Sequence, residues 1–236
     1  MNIVGVIHAR GGSKRAPLKN IKALAGKPLV AYIIQAALEA KTINRVIVST
    51  DHPEIIKISK VYGAEVPFVR PKDISEDVPS ELVTQHAVNY LEKEESYHVD
   101  IVVTLQPTTP FCLPEDIDGC VHELMASDAD SVISVCNITE RPEWMFYTDE
   151  AGYAHNFLEK KIEGDTGISQ KLPKLYIPNG GIYATKRDAL FNQGVIIGKK
   201  TRLWVMPRER SIDIDEPLDF LLAEFLINKG FKATTE

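Results

Sequence analysis

The chain has 236 residues, 44% of them hydrophobic and 25% charged, which suits one large α/β domain with a well-buried core and excludes a disordered chain. Its formal net charge of -6 argues against a nucleic-acid partner, which asks for a broad basic surface. No apolar run reaches the length of a membrane span, and Asn2 to Ala9 lacks the flanks of a signal peptide, so the cytoplasm is the expected compartment.

Ile3 to Ala9 reads as an apolar strand buried on both faces, followed by a glycine-bearing basic loop and a helix from Pro28 to about Ala40. A strand is expected at Arg45 to Thr50, then a helix opened by Pro53 and stopped at Gly63. A short strand at Glu65 to Val69, a helix at Ser80 to Glu95 and a buried strand at Val99 to Leu105 follow. Next come a helix from Pro114 to about Ser127 and a strand at Ser131 to Val135. From about 137 to 178 the periodicity breaks, which we read as an insertion or dimerisation element within a single domain. Strands at Gly181 to Thr185 and Leu203 to Met206 and an amphipathic helix from Pro217 to Lys229 close the chain. Strand alternating with helix implies an α/β fold with a mostly parallel sheet covered on both sides. Cys112, Cys120 and Cys136 have no C-x-x-C spacing and are expected to be reduced packing residues.

Between Met1 and Leu38 lie six basic residues, Arg10, Lys14, Arg15, Lys19, Lys22 and Lys27, and no acidic one. Such a local excess in an acidic chain suits a small polyanion. The loop from Arg10 to Asn20 follows the first strand, where an open α/β sheet presents its ligand crevice. Gly11 and Gly12 allow backbone N–H groups to approach phosphate, and Arg10 and Lys19 can neutralise a triphosphate. A solvated basic turn is the plain alternative. The loop has neither the G-x-x-x-x-G-K-[ST] nor the G-x-G-x-x-G pattern.

In Ser211-Ile-Asp-Ile-Asp215 an extended backbone would bury Ile212 and Ile214 and turn Asp213 and Asp215 together to the other side. Two such carboxylates suit Mg²⁺, which completes its shell with water and phosphate oxygens. The spacing leaves open a capping role for Asp215 at the helix begun by Pro217. Gln106, at the end of a buried strand, carries an amide able to donate and accept, as sugar hydroxyls require; a turn residue facing water is the alternative.

The segment Ala9-Arg-Gly-Gly-Ser-Lys-Arg15 with Lys19-Asn20 resembles the signature loop of the acylneuraminate cytidylyltransferases, or CMP-nonulosonate synthetases. The likeness continues through Val48-Ser-Thr-Asp51, Val66-Pro-Phe-Val-Arg-Pro71, Leu105-Gln-Pro-Thr-Thr-Pro110, Pro178-Asn-Gly-Gly-Ile-Tyr183 and Ser211-Ile-Asp-Ile-Asp215, in that order. It implies a Rossmann-like nucleotide-sugar transferase fold, a homodimer, and a reaction of CTP with an acidic sugar such as a sialic or legionaminic acid. It makes Asp213 and Asp215 the metal ligands and counts them with Arg10 and Lys19 as catalytic. Arg10, Gly11, Gly12, Ser13, Lys19, Asn20, Arg70 and Ser80 are then expected at the nucleotide, and Gln106, Thr108, Gln170, Asn179 and Gly180 at the sugar. Users of sialic acid commonly carry arginines where this chain has Ser169 and Ile177, and Trp144 adds a large apolar surface. These features favour a legionaminate-like or related nonulosonate, with Lys171 and Lys174 as replacement charge. The same fold with another base or a shorter acid such as Kdo, and a nucleotide-binding regulator without chemistry, are the other readings.

Overall fold

Alternating apolar residues on β1 (Ile3–His8) face two different helical layers, and this sets the architecture. Ile3 and Ile7 join one cluster with Val30, Ile33 and Ile34 of α1 (Leu29–Glu39) and Ile117, Val121 and Leu124 of α4 (Pro114–Met125). Val4 and Val6 join another with Ala87, Val88 and Leu91 of α3 (Ser80–Glu94). A strand buried on both faces needs a helical layer on each, as an α/β sheet provides. The structure, a computed structural model, describes residues 1–12, 18–158 and 172–233.

The six-stranded sheet runs β10-β6-β9-β5-β1-β4, with β4 at Arg45–Ser49, β5 at Ile101–Leu105, β6 at Ser131–Asn137, β9 at Tyr176–Lys186 and β10 at Thr201–Val205. β1 pairs parallel with β4 on one side and with β5 on the other, β10 pairs parallel with β6, and β9 lies antiparallel to β5. The chain order thus reverses direction at β1, so the ligand crevice belongs beyond the carboxyl ends of β1 and β5. The remaining helices are α2 (Pro53–Val61) and α5 (Pro217–Asn228).

The expected strand at Glu65 to Val69 is a correction: it shrinks to one parallel bridge between Ile47 and Glu65. Pro67 and Pro71 have no N–H to continue a ladder. Also unforeseen was a small hairpin of β2 (Ala23–Leu24) and β3 (Lys27–Pro28), turned by Ala25 at φ 46° and Gly26 at φ 84°. Asn179 and Gly180 lie inside β9, which starts well before the expected Gly181. The three cysteines are buried and free, and burial pushes the Cys112 and Cys120 thiols up.

Two compact units result, one of Met1–Val135 with Pro178–Glu236 and one of Cys136–Ile177. In the smaller unit β7 (Phe146–Thr148) pairs antiparallel with β8 (Ala154–Asn156), and the Tyr147 ring stacks on His155. The Arg141 side chain is buried there and donates to the Pro173 carbonyl at 2.9 Å.

In the larger unit the buried Asp116 accepts a two-pronged hydrogen bond from Arg210, one from Trp204 Nε1 at 3.2 Å and one from the Leu113 amide at 3.1 Å. Arg210 stands one residue before Ser211, so this fork fixes where the Ile-Asp-Ile-Asp segment begins. Arg210→Ala leaves a buried carboxylate without its cation and is expected to cost about 3 kcal/mol of stability. Urea unfolding checks this, and a loss below about 0.5 kcal/mol would show the fork to be dispensable.

Candidate active site

His8 ends β1 and Gln106 follows β5, and between them opens a cleft of about 510 Å³. Its walls bring together residues far apart in sequence: Arg10, Lys19 and Asn20 from the basic loop, Gln106 and Thr108 after β5, Gly180 on β9, and Asp213 and Asp215 before α5. Arg70 and Ser80 line an adjoining compartment of about 200 Å³ that shares His8, Arg10, Asp77 and Gln106 with the first. Gly12 lies with Arg10 and Asp51 at a third opening. Ser13 and Gln170 fall outside the described residues, as do Ser169 and Lys171.

The acidic wall is built as the alternation in Ser211-Ile-Asp-Ile-Asp215 requires, although no strand pairs with it. Ile214 is fully buried beside Phe111 and Phe220, Ile212 packs at the edge of that cluster, and the Ile214 amide donates to the Thr108 carbonyl at 2.8 Å. Asp213 and Asp215 are thereby turned to the cleft. Asp215 is not the helix cap. That task falls to Glu216 and Asp219, and the Asp219 carboxylate accepts from the amides of both Asp215 and Glu216, at 2.8 and 2.7 Å.

Lys19 joins the two walls. Its side chain is buried, and its ammonium donates to the Ile214 carbonyl at 2.6 Å and to Asp215 Oδ1 at 2.9 Å. The cation expected to meet a triphosphate is thus also the clamp on the acidic segment. Desolvation pushes the Asp213 carboxyl above its usual range, a Thr108 hydrogen bond works against this, and nearby Asp215 adds to the rise. Gly180, at φ 76°, lets the backbone approach this carboxylate; a Cβ there would stand 3.0 Å from Asp213 Oδ2.

Several of the residues expected at the substrates also carry bonds within the protein. The Gly11 amide donates to Asp51 Oδ1 at 2.8 Å, and a Cβ on Gly11 would meet the His52 side chain at 2.8 Å, so this glycine serves close packing of the loop. Asn20 Nδ2 donates to the Arg10 carbonyl at 2.9 Å and shapes the loop from inside. Asn179 is buried as a brace: its Oδ1 accepts from Ser134 Oγ at 2.6 Å and its Nδ2 donates to Ser211 Oγ at 3.0 Å. Arg70 is buried too, donating to Ser49 Oγ at 3.0 Å and to the Ser49 carbonyl.

Four lining residues were not singled out in sequence: His8, Asp77, Pro107 and Tyr183. Asp77 pairs with Arg10 at 2.6 Å. The His8 ring is held neutral, its pKa brought down to about 3 by burial and then by the Arg70 charge. Only the strand parity of His8 could have flagged it, since even positions on β1 face α3.

Among the described residues no group of three or more His, Cys, Asp or Glu side chains converges on a point that could hold a metal ion. Two carboxylates beside a cleft fit a Mg²⁺ that brings water and phosphate as its other ligands, and do not fit a metal held by protein alone.

The model of the family described as cytidylyltransferase matches residues 4–192. The CMP-N,N'-diacetyllegionaminic acid synthase of Legionella pneumophila is 36% identical over 234 residues, 99% of this chain and 99% of that protein. The pseudaminic acid cytidylyltransferase of Campylobacter jejuni is 34% identical over 223 residues, 94% of each chain. A solved structure of CMP:2-keto-3-deoxy-manno-octonic acid synthetase complexed with CTP shares the fold, with a TM-score of 0.70 at 19% identity over 98% of this chain and 100% of that one.

Replacing Lys19 by Met removes both the clamp and the charge. Turnover, read as pyrophosphate release, is expected to fall at least about a hundredfold. Activity within threefold of the parent would remove Lys19 from the site.

Proposed function

This chain belongs to the cytidylyltransferase family, and from that membership and the cleft described above we propose that it joins CTP to a di-N-acylated nonulosonate of the legionaminate type, giving the CMP-sugar and pyrophosphate. The observation that carries the reading is the convergence of Arg10, Lys19, Gln106, Asp213 and Asp215 on one cleft. The choice of sugar is supported by the 36% identity to the legionaminate enzyme and by the family resemblance, which sets Ser169 and Ile177 where sialate users commonly carry arginine.

The anomeric hydroxyl of the sugar attacks the α-phosphorus and pyrophosphate leaves in line, with no covalent enzyme intermediate. Arg70 and Ser80 hold the nucleoside end in the smaller compartment. Arg10 exchanges Asp77 for phosphate oxygens and stabilises the charge that develops as pyrophosphate departs. Gln106 orients the sugar at the boundary of the two compartments, and Thr108 holds Asp213 from behind. Lys19 keeps Asp215 pointed at the cleft and lowers the repulsion between the paired carboxylates and an incoming triphosphate. Asp213 and Asp215 would hold Mg²⁺, which when bound supplies positive charge that polarises the phosphate.

The enzyme is proposed to be a homodimer through its smaller unit, where Phe146, Tyr147, Tyr153 and Phe157 are each more than half exposed. Among the described residues no helix is long and apolar enough to cross a membrane. The cytoplasm, where CTP is made, is the proposed place of work.

A panel of four nucleoside triphosphates against legionaminate, pseudaminate, N-acetylneuraminate and Kdo decides the reading. Pyrophosphate release is expected with CTP and the di-N-acylated sugars, at least tenfold above the others, and to cease with EDTA. Equal rates with N-acetylneuraminate, or rates unaffected by chelator, would contradict it. Light scattering of the same preparation should give twice the chain mass; a monomer would dismiss the dimer.

A further inference from the structure

Two compartments share one seam. The larger holds the acidic pair and Lys19, the smaller holds Arg70 and Ser80, and four residues line both: His8, Arg10, Asp77 and Gln106. On the cytidylyltransferase reading, the nucleoside occupies one side and the acceptor sugar approaches from the other, so the new bond forms where these four residues stand. Arg10 and Asp77 are paired with each other, and Gln106 already has a role. His8 has none yet.

The His8 ring is held from one side only. As an even position of β1 it continues the face of Val4 and Val6 toward α3, and its Nε2 lies 3.1 Å from Thr84 Oγ1. Thr84 is fixed in turn by the Ser80 carbonyl at 3.1 Å and by Thr104 Oγ1 at 3.0 Å. These bonds set the ring plane and consume one nitrogen. A packing residue here would most simply be another branched aliphatic, as the two before it on this face are. A neutral imidazole spends desolvation free energy that its second nitrogen recovers only with a partner, and no other hydrogen bond to His8 occurs among the described residues. A ring pinned through Nε2 and lining both compartments offers Nδ1 to a ligand group. The Thr84 hydroxyl proton goes to the Ser80 carbonyl, so Nε2 donates to Thr84 and Nδ1 is left as an acceptor, which a hydroxyl fits as donor.

We propose that His8 binds substrate directly, its Nδ1 sharing a hydrogen bond with a hydroxyl at the seam, on the ribose of the nucleotide or on the incoming sugar. The bond positions the reacting groups without moving a proton. It rests on the cytidylyltransferase reading, which the unmodified enzyme tests by itself: no pyrophosphate release by that enzyme across the substrate panel would refute the reading, whatever the His8 variants do.

Two amide substitutions separate the ring nitrogens. In His8→Asn the amide falls near the place of Nδ1 and the contact to Thr84 is lost; in His8→Gln the longer amide reaches Thr84 and Nδ1 is lost. With the parent enzyme active, His8→Gln is expected to raise KM for one substrate about tenfold, the worth of one hydrogen bond, with kcat within threefold. His8→Asn should keep KM within threefold of the parent. If the partner is a ribose hydroxyl, the gap between the parent and His8→Gln closes with 2'-deoxy-CTP or 3'-deoxy-CTP; if it is on the sugar, the gap sits in the KM for the sugar. Either location supports the proposal. Parent-like kinetics in both variants, equal loss in both, or loss in His8→Asn with His8→Gln unaffected would overturn it, the last by showing that the ring serves only Thr84.

Discussion

One buried ammonium group holds the site together. Lys19 comes from the loop after the first strand, yet it is bonded to the Ile214 carbonyl and the Asp215 carboxylate, 195 and 196 residues further along the chain. Taking a lysine out of water is costly unless its charge is matched and its donors are used, so the two segments hold each other in register. The Ile214 amide is fixed to Thr108 and the Ile214 side chain to the cluster around Phe111, which ties the segment after β5 into the same knot. Three stretches of chain meet there, each supplying a wall of the cleft.

The sheet topology explains why these stretches meet. β1 has parallel partners on both sides, so the connections leaving β1 and β5 diverge and open a crevice between His8 and Gln106. Antiparallel β9 then passes beside β5 and brings Gly180 under Asp213, with a φ of 76° that favours glycine there. The fork from Arg210 to Asp116 sets the start of the acidic segment from the other side. Charge is distributed to match a polyanion and its cation: Arg10 and Lys19 at one wall, two carboxylates at the other, one of them biased toward its neutral form by desolvation.

Much of this was legible in the chain itself. β1 and β5 announce themselves as apolar runs, the alternation of Ile212 and Ile214 with Asp213 and Asp215 predicts which pair is buried, and the glycine-bearing basic loop marks the crevice. What could not be read depends on contacts between distant segments. An apolar run does not encode strand direction, so the antiparallel β9 was invisible. Sequence left Asp215 open as a cap of α5, and only the fold shows the capping box to be Glu216 and Asp219, with the Asp219 carboxylate accepting from the amides of Asp215 and Glu216 ahead of the helix. Asn179 braces Ser134 and Ser211, and its amide alone does not reveal those distant partners. His8 reads as one more strand residue until Thr84, 76 positions away, is seen to hold it.

We propose that Asp213 and Asp215, held by Lys19, share a divalent cation with a triphosphate lying against the basic loop. Mn²⁺ can stand in for Mg²⁺ as a paramagnetic probe, and its binding is measured by electron paramagnetic resonance with and without CTP. CTP is expected to tighten Mn²⁺ binding to the unmodified protein, as shared ligands require. Asp213→Asn and Asp215→Asn should each weaken the ternary complex at least about tenfold. Mn²⁺ affinity in the presence of CTP that is the same in both variants as in the unmodified protein would contradict it.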